Sequence, residues 1–592
     1  MVCDRREQEE TGHSVRRAVA CAFFLLGFVV VLLRLFDLHI LQAEMMTEKA
    51  KRQHHTIVTL DSTRGAILDR HGRALALDVD VHSVSASPVA VQNPTAVAAR
   101  LSTVLEVPRP ELEQRLRGDR EFVWIKRKID SDYATRVDAM ALPGINMEKE
   151  KQRFYPKGTL LAHVLGFAGI DRQGLEGLEF GYERYLQGQA RRVLLHRDAL
   201  GRVIFPERQQ EADSLSGHTI HLTIDEVIQY MAEKALESAV ERTRARGGAI
   251  IVMDPRTGGI LAWTLRPTFD PNHVAGVSPD RWRNRAVTDP YEPGSTMKAI
   301  LAAAALEEGL VEPETLIYAG HGEMPISGTV LHDHEKAGWL TFQEAIQRSS
   351  NVAAAKTALA LGKHRMYEYL RAFGFGEKTG IDLPGESVGI LKPPNQWGKR
   401  ALPSIAIGQG IAVTPLQLVT AVSAIANEGA LMKPFVVERI HSTQGDVVWN
   451  QEPEVRRRPI RRRTARTLTA LLENVVVRGT GKRAAIHGYR VAGKTGTAQK
   501  FDPTIGAYSS TKLIASFVGF APVEHPQFVM LVVIDEPQGP AWGGVVAAPV
   551  FREVGEQVLR HLKTPPQRGV DVRMAAVENM GTSLAWVGST SE

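Results

Sequence analysis

A serine hydroxyl becomes a nucleophile when a neighbouring base takes its proton, and two stretches of the sequence place a lysine three residues after a serine. The first is "YEPGSTMKAI", Tyr291–Ile300, with Ser295 and Lys298; the second is "SSTK", with Ser509 and Lys512. A Ser-x-x-Lys pair is weak evidence alone, since about one is expected by chance in a chain of this size. Context separates the two. Pro293 and Gly294 end a loop and "STMKAILAAAALEEGL" opens a helix, so Ser295 falls among unpaired backbone N–H groups at the positive end of a helix dipole. Positions i and i+3 share a helix face, which sets Lys298 beside the hydroxyl. Met297, Ile300, Leu301 and Ala304 make this helix apolar and buried, and desolvation then holds Lys298 partly neutral, as a general base requires. The alternative for Ser295 is a plain helix cap.

Two further elements fit the same chemistry. "RSSNVAAAK" offers Ser349 and Asn351, a hydroxyl and an amide that could face the Ser295–Lys298 pair; the competing reading has Ser349 or Ser350 capping the helix that begins at Asn351. Lys-Thr-Gly occurs twice. Residues 378–380, in "GEKTGIDLPGE", run into the turn Leu383–Glu386 and read as a loop. Residues 494–496, in "VAGKTGTAQK", lie on a strand pattern whose alternation turns Lys494 and Gly496 the same way. Gly496 lets a ligand approach the backbone, and Thr497 adds a hydroxyl and an N–H. "HDHEK", His332–Lys336, has the spacing of metal ligands, but no second His or Cys cluster accompanies it, so no metal and no cofactor are expected.

Positioning these groups takes a large folded body. The 592 residues, 44% hydrophobic and with 51 glycines, suffice for several packed domains and exclude a disordered chain. The net charge of +6 is a mild excess that suits anionic lipid or polymer as well as nucleic acid and selects none of them. The two cysteines, Cys3 and Cys21, lie before or inside the first apolar run, leaving the rest free of thiols, which suits an oxidising compartment. That run, Ala18–Leu33, spans about 24 Å as a helix. Leu35 and Phe36 lengthen it if Arg34 snorkels. With no small-residue cleavage site after it, residues 18–36 are expected to be an uncleaved transmembrane signal anchor. Basic residues flank both ends nearly equally, so charge leaves the orientation open.

Beyond the anchor, "RGAILDRHGRALA" reads as two short strands around the turn Asp69–Gly72, and mixed signals follow to about Leu215 without a catalytic constellation. A new domain starts near "GHTIHLTIDEVIQYMAEKALESAVERT", where Asp225 is a helix N-cap and Ile228, Met231, Ala235, Ala239 and Val240 form one stripe. "AIIVMD" and "GILAWT" flank a hairpin turn. Helical patterns then run to about Asn427, and strands return in "YRVAGKTGTAQ", "LIASFVGFAPV" and "QFVMLVVIDEP" before a closing helix near Phe551–Leu562. These patterns predict an α+β fold with an antiparallel sheet flanked by helices. "RRRPIRRR", Arg456–Arg463, reads as a solvated loop before a helix, and residues after Thr564 as a loose tail.

Ser-x-x-Lys, Ser-x-Asn and Lys-Thr-Gly in that order are the signature of penicillin-binding proteins and class A β-lactamases. The sequence resembles the class B penicillin-binding proteins, single-pass D,D-transpeptidases of bacterial cell-wall synthesis, from about Arg34 to Leu562. "GLEGLEFGYERYLQG", "NRAVTDPYEPGSTMK", "DLPGE", "AIGQGIAVTPLQL" and "SFVGFAP" carry the resemblance beside the motifs. "VVIDEP" and "GGVVAAPVF" look most like the division-specific, FtsI-like branch; elongation- and sporulation-type enzymes are the alternatives. The resemblance implies a cytoplasmic segment at 1–17, the anchor at 18–36, an elongated pedestal or dimerisation-type domain at 50–215, a transpeptidase domain at 217–563 and a tail at 564–592. It implies that Ser295 attacks the D-Ala-D-Ala amide of a stem peptide, that Lys298 takes the proton and that Ser349 relays it to the leaving nitrogen. Asn351 would hold the peptide, Lys494, Thr495, Gly496 and Thr497 would bind its carboxylate end, and the Ser295 and Thr497 N–H groups would form the oxyanion hole. It further implies β-lactam sensitivity, a periplasmic catalytic domain on the inner membrane, and partnership with a polytopic glycan polymerase of the SEDS type and other divisome proteins, with no role for nucleic acid. From other classes, a β-lactam-sensing receptor would carry several spans and a cytoplasmic effector, and an idle division scaffold would not need the three intact motifs.

Overall fold

The computed structural model describes residues 3–60, 62–188, 191–197, 203–204, 216–502, 504 and 506–566. The expected loose tail lies outside the described residues from 567 on. The chain forms two compact units, Met1–Ser62 with Gln189–Ser216, and Thr63–Gly188 with Gly217–Glu592.

In the first unit the helix Cys3–Phe36 continues through a π-helical turn, Asp37–Leu41. Val15–Leu41 contains an 18-residue window with a mean hydropathy of 2.7, long and apolar enough to cross a bilayer core. Arg34 pairs with Asp37 at 2.5 Å, so the arginine inside the apolar stretch is met by an acid one turn on. The helix Ala43–His54 leads into the strand His55–Leu60, which pairs antiparallel with Arg191–Arg197.

The second unit begins with a seven-stranded sheet. Ile67–Leu68 and Ala74–Ala86 pair antiparallel across the turn at Asp69–Gly72, as the sequence pattern predicts. Ile67–Leu68 also runs parallel to Thr219–Leu222, and that strand pairs with Val437–His441, so strands from both halves of the unit share one sheet. Two of the quoted segments meet here through buried charge. Arg64 and Arg153 each lie 2.6 Å from a Glu179 carboxylate oxygen, all three essentially without solvent exposure. Such charges persist in a core only when paired, and losing one partner strands the other.

The rest of this unit is built on a five-stranded antiparallel sheet ordered Ile260–Arg266, Gly247–Met253, Phe528–Asp535, Ala507–Ala521, Ala492–Asp502. Strand alternation divides its side chains between two cores. Ile250, Val252, Phe517, Met530 and Val532 face the helices Glu226–Thr243 and Ala548–His561. Ile251, Trp263, Val518, Val529 and Leu531 face the helical layer that holds Lys298–Glu307, Pro415–Ala426 and Arg462–Val477. Asp225 caps its helix by accepting from the Val227 and Ile228 N–H groups, and the buried stripe adds Ala232 and Leu236 to the expected Ile228, Ala235 and Ala239. The helix Lys298–Glu307 lies in the middle of its layer with residues 298–305 all buried, and its alanines let neighbouring helices approach on every side.

Two expectations change. The arginine run is no free loop: Val455–Arg457 is a strand paired with Leu431–Met432, Arg456 and Arg457 bind Glu377, Arg461 binds Glu307, and Arg462 binds Glu428. These four arginines find acids because the run crosses the ends of several helices, whereas Arg458 and Arg463 stay exposed as expected. The region between Ser295 and Asn427 is also not purely helical. It contains two small hairpin pairings, Leu316–Tyr318 with Trp339–Thr341 and Glu323–Ile326 with Thr329–His332.

Candidate active site

Ser295 lies in the 3₁₀ turn Gly294–Met297, which passes directly into the α-helix at Lys298. In a 3₁₀ turn residues i and i+3 eclipse, so Ser295 and Lys298 share a face more closely than an α-helix would place them. Ser295 is half-buried, whereas Lys298 has no exposed surface. The turn is pressed against the sheet's edge strand. Gly294 has φ +57°, and a Cβ there would come within 2.7 Å of the Thr497 carbonyl oxygen. A Cβ at Gly496 would meet Ser516 Oγ at 2.4 Å and the Pro293 carbonyl oxygen at 2.9 Å. Two glycines on opposite sides of one seam therefore allow the nucleophile's turn to reach the Lys-Thr-Gly strand. A third, Gly408 of "AIGQG", backs the turn from behind, its carbonyl accepting from the Gly294 N–H at 3.1 Å.

Lys298 Nζ contacts the Ser349 carbonyl oxygen at 2.6 Å, Asn351 Oδ1 at 2.7 Å and Ser349 Oγ at 3.1 Å. Among the described residues the Ser295 hydroxyl makes no hydrogen bond. An ammonium has three N–H donors and would spend all of them on these contacts; a neutral amine satisfies the carbonyl and the amide with its two N–H groups and keeps a lone pair for a hydroxyl proton. Burial, reinforced by the Lys494 charge and opposed by Asp333, holds the Lys298 pKa well below the usual lysine value. The neutral amine is the form that fits this surround.

Ser349 and Ser350 divide the two readings of their segment between them. Ser350 is the N-cap of the helix Asn351–Leu361, accepting from the Ala353 N–H at 3.0 Å. Ser349, freed from capping, adopts φ +61°, a left-handed conformation that costs a non-glycine residue on the order of 1 kcal/mol or more. That conformation turns both its carbonyl and its hydroxyl onto Lys298. On the other side Lys494 Nζ lies 3.0 Å from Ser349 Oγ. Lys494 is 1% exposed, and burial brings its pKa down to about 7. The three motifs thus meet at one atom, the Ser349 hydroxyl oxygen.

Lys494 belongs to the strand Ala492–Asp502, with Lys494 opposite Val518 and Gly496 opposite Ser516. Thr495 and Thr497, two residues apart, share the other face. Thr495 Oγ1 lies 2.7 Å from Thr480 Oγ1, and Thr497 Oγ1 accepts from the Gly543 N–H at 3.1 Å. An accepting hydroxyl keeps its own proton to donate, so Thr497 remains able to bind a carboxylate.

Asp333 is the functional residue that sequence reasoning missed. It follows the small strand Thr329–His332, and its carboxylate takes Ser350 Oγ–H at 2.6 Å, the Val352 N–H at 3.0 Å and the Asn351 N–H. A carboxylate on the first N–H groups of a helix is favourable electrostatically. Here it fixes the segment that carries Ser349 and Asn351. Asn351 is held further by donating Nδ2–H to the His332 carbonyl at 2.8 Å. "HDHEK" therefore has a use, but its aspartate anchors a helix.

The second copies of the motifs lie elsewhere. Ser509 and Lys512 sit on the strand Ala507–Ala521, where positions three apart point to opposite faces; Ser509 Oγ accepts from the Lys512 N–H, and Lys512 Nζ pairs with Asp502 at 2.7 Å. Lys378 is exposed, and the Thr379 and Gly380 N–H groups bind Glu386.

Known proteins resemble the chain over most of its length. A model described as the penicillin binding protein transpeptidase domain matches residues 248–556, and one described as the penicillin-binding protein dimerisation domain matches residues 59–222. Stage V sporulation protein D of Bacillus subtilis is 36% identical over 92% of this chain and 85% of its own length. Peptidoglycan D,D-transpeptidase FtsI of Escherichia coli is 32% identical over 95% of this chain and 94% of its own. Among solved structures, penicillin-binding protein 3 of Mycobacterium tuberculosis in complex with aztreonam superposes with a TM-score of 0.68 at 27% identity, covering 86% of this chain and 98% of that one.

Proposed function

The chain belongs to the class B penicillin-binding proteins, and on that premise we propose that it cross-links peptidoglycan stem peptides through an acyl-enzyme on Ser295. The observation that carries the reading is the convergence on Ser349 Oγ of Lys298, one 3₁₀ turn from Ser295, and Lys494, from the edge strand. Neutral Lys298 takes the Ser295 proton as Oγ attacks the carbonyl between the two D-alanines. The oxyanion forms against the Ser295 and Thr497 N–H groups, a contribution of about 3–4 kcal/mol per donor in comparable enzymes. Lys298 then returns the proton through Ser349 to the departing nitrogen, and D-alanine leaves. An amine from a second stem peptide attacks the ester, passing its proton back along the same path, and Ser295 is regenerated as the new amide forms. Asn351 holds the peptide backbone; Lys494, with Thr495, Gly496 and Thr497, receives the terminal carboxylate.

Fluorescent penicillin followed by mapping of the modified peptide tests this assignment. Covalent label on Ser295 is the expected result, and label on any other serine would overturn it.

Within the family we assign the chain to septal cell-wall synthesis, anchored in the cytoplasmic membrane by the N-terminal helix with the catalytic half outside and a SEDS-type polymerase as partner. "VVIDEP", "GGVVAAPVF" and the 94% coverage of peptidoglycan D,D-transpeptidase FtsI support this reading. Depletion should leave filaments with unfinished septa. Round cells would move the protein to the elongation type, and a defect confined to spores would move it to the sporulation type.

A further inference from the structure

Three side chains from distant parts of the chain, none of them part of the Ser295 site, meet at one point. His71 lies in the turn after Ile67–Leu68, Asp225 precedes the helix Glu226–Thr243, and His561 ends the helix Ala548–His561. His71 Nε2 is 3.1 Å and His561 Nε2 3.0 Å from the same oxygen, Asp225 Oδ2, and the three ligand atoms lie within 4.8 Å of one another. We propose that His71, Asp225 and His561 bind one divalent transition-metal ion of the zinc class, which fastens the C-terminal helix to the turn at Asp69–Gly72.

The donor geometry favours such an ion. With metal–ligand bonds of about 2.0–2.1 Å, tetrahedral coordination separates neighbouring donors by about 3.3–3.4 Å. The two His–Asp separations reach that value with a few tenths of an ångström of movement, and the two imidazole nitrogens, within 4.8 Å of each other, draw together on the ion. Asp225 is 1% exposed, and its other oxygen, Oδ1, accepts from the Val227 and Ile228 N–H groups, so the carboxylate is held by its outer contacts with Oδ2 aimed at both imidazoles. Two imidazole nitrogens and one carboxylate suit zinc and its first-row neighbours; calcium and magnesium prefer all-oxygen sites.

The surroundings also supply an entry path. His71 is half-exposed at the rim of a cavity of about 300 Å³ that Arg70, Arg73 and Leu562 also line. The two guanidinium groups oppose a bare cation. They favour an anionic fourth ligand, such as hydroxide or chloride, which would complete the tetrahedron and lower the site's net charge.

The test uses the full-length protein in detergent, stripped with EDTA and titrated with zinc and separately with cobalt(II). One zinc per chain, a zinc-dependent rise in Tm and a tetrahedral cobalt d–d spectrum are expected. His71→Gln and His561→Gln keep an N–H donor for Asp225 but remove the imidazole. Each should weaken zinc binding at least about tenfold, abolish the rise in Tm and erase the cobalt spectrum. His441→Gln alters a different close histidine pair, in which His441 Nδ1 lies 3.2 Å from His221 Nε2, and should change none of these readings. Failure of the native protein to bind zinc, or undiminished binding in both glutamine variants, would overturn the proposal. Penicillin labelling of Ser295 should persist in both variants, so the fate of this site is separable from that of the catalytic assignment.

Discussion

The tripeptide Lys-Thr-Gly occurs at residues 378–380 and again at 494–496, and the fold treats the two copies oppositely. Lys378 projects into solvent, and the two residues after it are tied to Glu386 of "DLPGE". The same segment secures itself through Asp382, which accepts from the Val436 and Val437 N–H groups at 2.8 and 2.7 Å. Lys494 is on a sheet edge, enclosed, and within hydrogen-bond distance of Ser349. The Ser-x-x-Lys copies differ in the same way. At Ser295 the spacing of three falls in a 3₁₀ turn and aligns the pair; at Ser509 it falls on a strand and separates them. A motif thus acquires chemistry from the period of the element that carries it and from the solvent it loses.

The largest expected contrast is between the serines. Ser295→Ala should abolish β-lactam acylation, while Ser509→Ala should label at the native rate; comparable labelling of both variants in a gel assay would break the distinction. Next come the lysines of the tripeptides. Lys494→Ala should lower the acylation rate constant on the order of 10², and Lys378→Ala should leave it unchanged, as measured by stopped flow on proteins with matching thermal melts. Equal losses would mean that burial does not separate the copies.

The pH profile sharpens the contrast. Lys298 must be neutral to act, so the acylation rate should fall as acidification protonates it. Lys494, with a pKa near 7, must be charged to attract a carboxylate, so a second fall is expected as the pH rises above about 7. Lys494→Arg keeps its charge at every working pH and should remove that alkaline fall while leaving the acid one. Lys378→Arg should alter neither limb. The smallest effect is expected at Asp333, a positioning residue. Asp333→Asn should slow acylation about tenfold, in line with the ~0.5–2 kcal/mol value of a helix cap. Because the Asp333 charge raises the Lys298 pKa, its removal should also move the acid limb to lower pH; an unmoved limb would reduce Asp333 to a plain helix cap.

The sequence carried the three motifs, their order, the Asp225 cap and the alternating strands, because each depends on residues close along the chain. What it left undecided depends on contacts between distant residues. Ser349 and Ser350 are equally good caps by type, and only the left-handed backbone at Ser349 separates the cap from the lysine partner. Asp333 acts on residues 350–352 from the end of a mostly exposed strand of four, paired across the Ser327–Gly328 turn with a strand that contains Pro325, too short for a period to register. The ion pairs of the arginine run at 456–463 are not legible locally because their acids, Glu307, Glu377 and Glu428, lie far away in sequence. Gly294, Gly408 and Gly496 stand far apart in the sequence, and the purpose of their seam is visible only where the three backbones meet.

The central claim is that Lys298 acts as an uncharged base on Ser295, and its most direct test is stopped-flow acylation by a β-lactam of the native protein, Lys298→Arg and Lys298→Gln. Arginine preserves a positive charge but cannot accept a proton at any working pH. If the buried amine is the base, both variants should lose acylation by a similar factor, on the order of 10² or more. A near-native rate for Lys298→Arg, with Lys298→Gln crippled, would show that the charge alone matters and would contradict the account.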